Sequence, residues 1–384
     1  SKYSRAATKA EWRVLMQARA KAGVPLVIGT CGTSGADAAA DWMYEITSEL
    51  AEELGQSLKI ARLYSEQAAD VLAEAWEKDR VTPLDPAPEV DAGAIHSMAH
   101  IVALAGAEQI QAALATGADI VLAGRTTDTA IIAALPLQNG EHPGAAWHGA
   151  KVGECGALCS TNPTSGVVMV TFDATGFEVT PLADAAACTP HSVSAHMLYE
   201  NADPFILHEP GGHLDVTGAR YTAIDPVSVR VEGGRWVPAD TYRVKLEAAR
   251  VAGYQTTLLA ILRNRRYVEN ARSWATKLNT FLEGEIEHRM GLAASDYALQ
   301  LRLIGVDAVL GELEAAQGTT VEVGVLCIVT AASQDQATEI AKLVNPFLLH
   351  YPLTENEELP TFAFPYSPVH SERGALYEFA MNHV

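Results

Sequence analysis

Short apolar runs alternate with Ala-, Leu- and Glu-rich segments between residues 24 and 135, and this rhythm limits the fold more than any other feature of the sequence. Residues 24–28 read as a buried strand, and ADAAADWMYEITSELAEEL (36–54) as a helix of good helix formers. LKIARLYS (58–65) reads as a second strand, followed by a helix near 66–79. VTPLDPAPEVDAG (81–93) is a proline-rich connection. GAEQIQAALAT (106–116) is helical in pattern, and ADIVLAGR (118–125) is an apolar run that ends at Gly124. TTDTAIIAAL (126–135) opens with Thr and Asp, as helix N-termini prefer. Strands that alternate with helices imply a parallel sheet with helices on its faces. The expectation is an α/β protein in which residues 1–165 form a Rossmann-like domain.

From about residue 150 the rhythm changes. VGECGALC reads as a short helix or turn, and VVMVTFDATGFEVT as β structure. IDPVSVRVEGGRWVP (224–238) reads as a β-hairpin around Gly233 and Gly234. The last third runs as a strand (241–248), an apolar strand-like run (254–262) and a helix (265–290). Two strands (297–306 and 320–331) and a helix (334–348) follow. This order predicts a second, α+β domain over 166–384 whose C-terminal part is split βαβ-like.

The chain's 384 residues are enough for two domains. Lys plus Arg number 27 and Asp plus Glu 47, a net charge of −20. Nucleic acids and anionic membranes both need a basic footprint, so neither is an expected partner. A small anionic substrate remains, held in a locally positive pocket. No apolar run is long enough for a transmembrane helix, and SKYSRAATKAEWRVLMQARAKAG lacks the apolar segment of a secretory signal. Cys31, Cys155, Cys159, Cys188 and Cys327 are sparse and odd in number, which fits reduced thiols in the cytoplasm. Soluble catabolic enzymes are commonly symmetric oligomers, so a homo-oligomer is expected.

Three stretches carry chemistry. In PLVIGTCGTSGAD (25–37), Gly29, Gly32 and Gly35 permit unusual backbone angles and close ligand approach. Thr30, Thr33 and Ser34 add short donors, Cys31 a thiol, and Asp37 opens the next helix. Amides there would face an anion under the helix dipole, or the loop is simply a tight turn with a cap. The spacing does not match G-x-G-x-x-G and no Walker lysine follows, so a carboxylate or an acyl-carrier phosphate suits it better than a dinucleotide. No cofactor is named by any motif. In AGRTTD (123–128), Arg125 has the fork to clamp a substrate carboxylate. Asp128 accepts a proton, orients Arg125 or caps the helix.

In KVGECGALCSTNPTSG (151–166), Glu154 is a lone carboxylate between glycine and cysteine. Such surroundings raise proton affinity and suit acid–base work. Cys155 is the alternative actor if a cation lowers its pKa; a buried structural thiol is the other reading. The C-x₃-C spacing of Cys155 and Cys159 is a poor match to zinc patterns. His96 and His100 stand four apart, as if on one helical face, but HSMAH lacks the glutamate of a zinc-protease helix, so no metal site is assigned. His208, Glu209 and His213 in LHEPGGHLD form a polar cluster in a Gly/Pro turn, either lining a cleft or lying on the surface.

Four stretches together resemble the acyclic terpene utilisation protein family: GAEQIQAALATGADIVLAGRTTD (106–128), KVGECGA (151–157), MLYENADP (197–204) and HEPGGHLDVT (208–217). The likeness spans roughly residues 20–260. It departs from the family at GTCGTSGAD, where Ala36 precedes Asp37, and at ACTPHSVSAH (187–196), which replaces a glycine-rich turn. Both departures mark a divergent subgroup with its own ligand. The resemblance implies a two-domain α/β protein near acyl-CoA or carboxylic-acid catabolism, without a settled reaction.

The residues suggest a lyase, hydratase or isomerase that works by acid–base chemistry on a small carboxylate or its acyl-CoA thioester. Glu154 serves as base or acid, supported by Asp128 and Asp37; Arg125 and the Gly29–Gly35 loop bind the substrate. One alternative is a racemase or cis–trans isomerase built on Cys31 and Cys155. Another is a non-catalytic subunit that holds an acyl-CoA or carboxylate for a partner enzyme.

Overall fold

The strand–helix alternation near the N-terminus builds a small parallel sheet. In the computed structural model, which describes residues 3–163, 166–315, 318 and 320–384, the elements of this region run in chain order. They are α1 (Arg5–Ala22), β1 (Leu26–Ile28), α2 (Asp37–Leu54), β2 (Ile60–Leu63), α3 (Ala69–Glu77) and α4 (Ala92–His96). β3 (His100–Ala103), α5 (Ala107–Ala115), β4 (Ile120–Ala123) and α6 (Asp128–Gln138) follow. β4 lies between β1 and β2, parallel to both, with Leu26 and Ile60 on either side of Ile120. α2 buries Ala39, Ala40, Met43, Ile46 and Leu50, a helical spacing that lays one face on Ile120 and Leu122. Trp12 and Met16 of α1 close that core, and the Trp12 indole donates to Thr47 Oγ1 at 2.9 Å.

α7 (Pro143–Gly153) is buried almost along its whole length. Proline at its first position and a His142 side chain accepting from the Ala145 amide start it. Its small residues let neighbours approach. A Cβ on Gly149 would sit 2.5 Å from the Phe172 ring, and one on Gly144 2.1 Å from the Gly234 carbonyl oxygen. Around it come β5 (Val168–Phe172), β6 (Gly176–Pro181), α8 (Pro190–Ala195), β7 (Ile206–Glu209), β8 (Gly212–Asp215), β9 (Arg220–Ala223), β10 (Val229–Glu232) and β11 (Arg235–Pro238). They form two antiparallel sheets, β5-β6-β10-β9 and β11-β8-β7. The hairpin expected around Gly233 and Gly234 is therefore not one. β10 pairs with β6 and β9, β11 pairs with β8, and the two glycines carry the chain from one sheet to the other.

The chain divides into two compact units, Ser1–Ala249 with Ala380–Val384, and Arg250–Phe379. The second unit is built on β12 (Leu246–Leu262), α9 (Arg265–Glu269), α10 (Ala271–Met290), β13 (Tyr297–Ile304), β14 (Val323–Ala331), α11 (Gln334–His350) and β15 (His370–His383). The strands at 241–248 and 254–262 are a single strand, β12, starting only at Leu246. Gly253 within it has φ 150°, a value side-chain-bearing residues rarely adopt. The sheet order is β13-β14-β12-β15, with β3 beside the first residues of β12. Alternate residues of β12 and β14 are buried with Trp274, Leu278, Leu282 and Ile286 of α10 and Ile340 and Val344 of α11. The protein is thus a mixed α/β chain with one small parallel sheet, several antiparallel sheets and helices. No helix among the described residues is long and apolar enough to cross a membrane.

Candidate functional site

The loop after β1 is a packed joint. Thr30, Gly32, Thr33 and Gly35 have φ of 51°, 64°, 75° and 67°, the left-handed region. Its amides are largely spent inside the chain. Thr30 and Cys31 donate to Gly124 and Ala123 carbonyls, Thr33 and Gly35 to the carbonyls of Thr30 and Cys31, and Ala36 to Ser34 Oγ. A Cβ on Gly29 would lie 2.3 Å from Thr126 Oγ1, and one on Gly35 2.4 Å from the Arg125 amide nitrogen. These glycines allow two strand ends to cross closely; a cradle of free amides is not what the loop presents. Cys31 is fully buried, and burial pushes its thiol up to about 12. Asp37 Oδ1 accepts the Ser65 and Glu66 amides at 3.0 and 3.1 Å, tying α2 to the end of β2.

Arg125 is already clamped. Its Nε and Nη2 both lie 2.9 Å from Glu247 Oε2, while Lys245 Nζ holds Glu247 Oε1 at 2.9 Å. The carboxylate the sequence expected to come from a substrate is supplied by the chain. His96 and His100 do not share a helical face. His96 ends α4 and meets Asp70 at 3.0 Å, whereas His100 begins β3 and bonds Glu66.

The third stretch opens onto a buried cluster. Glu154 follows the last turn of α7 and is ion-paired with Lys151; each side chain is 6% exposed. The glutamate read as isolated has its counter-charge one helical turn back. Cys155 and His196 complete the group: one ligand atom each of Glu154, Cys155 and His196 lie within 4.8 Å of one another. His196 directly follows α8 in a 3₁₀ turn and stacks on Tyr199 at 5.6 Å between ring centroids. Its Nε2 is buried with no hydrogen-bond partner among the described residues.

Thr127 caps α6, accepting the Ala130 amide at 3.2 Å, so capping does not fall to Asp128. Asp128 instead adds its charge to the field on Glu154. Glu209 ends β7, and its Oε1 accepts the Thr129 hydroxyl while Oε2 is buried without a partner among the described residues.

Burial dominates the electrostatics. It pushes Glu154 up; Lys151 opposes this, and Asp128 and Glu200 add to it. Burial and the Glu154 charge raise Cys155. Burial and the Lys151 charge lower His196, keeping the imidazole neutral. Burial raises Glu209 to about 7, against the pull of the Thr129 and Thr127 hydroxyls. The arrangement holds a carboxyl that changes protonation near neutrality, an ammonium–carboxylate pair, a thiol and an imidazole with a free nitrogen.

The first predicted stretch packs on the second, and the second reaches the third through the charge of Asp128. The Gly29–Gly35 loop packs on Arg125 and Thr126, and Asp128 acts on Glu154. Lys151 and His196 were missed as site residues. Lys151 carried a signal, a lysine one helical turn before a glutamate; His196 carried none. Glu209 was noted in a polar cluster whose burial the sequence left open. A cavity of about 1290 Å³ lies in the second unit between α9, α10 and the segment after β13. None of the residues above lines it. Arg263, Arg265 and Arg272 on its wall are paired with Glu322, Glu269 and Asp307.

No curated protein and no solved structure matches the chain significantly. The family model described as acyclic terpene utilisation family protein AtuA matches residues 3–156 and 166–361. Residues 151–156, which carry Lys151, Glu154 and Cys155, the whole of MLYENADP (197–204) and the Glu209 hairpin fall within that match. The chain belongs to the acyclic terpene utilisation family.

Proposed function

We propose that the chain is an enzyme that moves a proton beside the carbonyl of a small carboxylate or its acyl-CoA thioester, as a lyase, hydratase or isomerase does. One observation carries this reading: Glu209 is buried, with Oε1 held by Thr129 and Oε2 without a partner among the described residues, and burial pushes its proton affinity up to about 7. A carboxyl poised near the working pH is what proton abstraction requires. Glu209 is therefore the proton carrier. Glu154, expected from its surroundings in the sequence to do this, is held by Lys151 and acts with it beside the reacting atoms. The oxyanion that forms when the proton leaves needs a positive partner in a dry site.

The two-thiol alternative finds little support, because Cys31 is fully buried with its thiol raised. The binding-subunit alternative leaves Glu209's unpartnered oxygen without a use. The five free cysteines support a cytoplasmic protein, the charge of −20 argues against a nucleic-acid partner, and a small anionic substrate needs a locally positive pocket. The Rossmann-like reading of the parallel sheet rests on its loops at the carboxyl strand ends, and a symmetric homo-oligomer remains the expected state.

The test is a panel of small carboxylates and acyl-CoA thioesters incubated with the purified chain in D₂O. Mass spectrometry should find deuterium entering beside the carbonyl of at least one member. A panel with neither exchange nor turnover contradicts the proposal and favours the binding subunit.

A further inference from the structure

The cluster has a charge problem. Asp128, Glu200 and Glu209 gather around Glu154, and Lys151 is the cation that acts on Glu154 and Glu209. Arg125 is committed to Glu247, and most loop amides after β1 are spent. An anionic substrate would meet a net negative site.

We propose that Glu154, Cys155 and His196 hold one divalent transition-metal ion, of the zinc class, with a further position open to substrate oxygen. Two independent observations support the site. A carboxylate oxygen, a thiol sulfur and an imidazole nitrogen already lie within 4.8 Å of one another. His196 is 6% exposed, yet its Nε2 has no hydrogen-bond partner among the described residues. A buried imidazole nitrogen left unpaired is costly unless something fills the place. Imidazole, thiolate and carboxylate together suit Zn²⁺ or Co²⁺ better than Mg²⁺ or Ca²⁺. Three protein ligands with an open position is the pattern of reactive rather than structural zinc.

The setting agrees. Glu154 and Cys155 directly follow the C-terminal end of α7, where carbonyl dipoles favour a cation. Binding costs Cys155 its proton, which leaves to solvent. The ion's two positive charges then balance the Cys155 thiolate and the Glu154 carboxylate, which frees Lys151 to offset one of the remaining carboxyls and makes the neighbourhood one unit less negative. That ion would draw a substrate carboxylate or thioester carbonyl and stabilise the oxyanion, with Glu209 carrying the proton. This use of the ion rests on the acid–base reading; the site itself does not.

The experiment titrates the full-length chain, stripped by a chelator, with Co²⁺ under absorption spectroscopy. One equivalent should bind, with a sulfur-to-cobalt charge-transfer band. Cys155→Ser should bind without that band. His196→Ala should weaken binding by more than about 100-fold, beyond the usual effect of losing an outer partner. Circular dichroism checks that each variant is folded. Failure of the folded wild type to bind one equivalent overturns the site, as does a band that survives in Cys155→Ser. Deuterium exchange that continues unchanged after chelation overturns the ion's part in the reaction and leaves the acid–base reading standing. Metal bound as described in a chain that exchanges no member of the panel upholds the site and removes that reading.

Discussion

Glu209 couples the chemistry to stability. Its proton affinity is raised on folding from an ordinary 4.5 to about 7 because burial disfavours the charged form. The folded state therefore keeps a proton that the unfolded state releases between those values. That contribution is complete below about pH 4.5 and is lost as pH rises to 7, roughly 3 kcal/mol at most. Glu209→Gln should match the wild type in acid and exceed it above pH 7, as read from urea midpoints. Parallel pH profiles for the two proteins would contradict this. The buried Lys151–Glu154 pair makes a separate prediction. Lys151→Met strands a carboxylate and should cost about 3–5 kcal/mol, most of it restored by adding Glu154→Gln. A single variant within 1 kcal/mol of wild type, by the linear-extrapolation error of such data, would mean the pair is not buried as described.

At the scale of elements, the same physics decides what a sequence reveals. α2 is legible because Met43, Ile46 and Leu50 form one apolar stripe beside a charged face. α7 is not legible, since PGAAWHGAKVG is buried on all sides and has no stripe to read. That helix sets the cluster, so Lys151 escaped notice although Glu154 did not. The β10 and β11 segments are correctly strands, but pairing is long-range, and a Gly-Gly step looks the same between partners and between sheets. The glycines after β1 were visible; their reason was not. Gly29→Ala would drive a methyl into Thr126 Oγ1 and Ile131, and should destabilise by about 1–3 kcal/mol. Thermal unfolding checks this, and an unchanged midpoint would contradict the close crossing of β1 and α6.

At the scale of the whole chain, the two units have separate cores. Trp274, Leu278 and Leu282 belong to one, while Trp147, Phe177 and Val229 belong to another. Leu278→Ala should cost the Arg250–Phe379 unit about 2–5 kcal/mol and speed hydrogen exchange in α10 and β14. Exchange in α7 should hold; equal loss there would contradict independent cores. All the residues of the candidate cluster lie in the first unit, so its chemistry is contained within one body. Much of that body's order was readable because strand and helix periods differ, whereas the cluster depended on burial, which one sequence states poorly. The central claim is that Glu209 carries the proton. The most direct measurement is kcat/KM for the exchanging substrate with wild type and Glu209→Gln, both shown to be folded. The account predicts a loss of about 10²–10⁴-fold, and a value within a few-fold of wild type would contradict it.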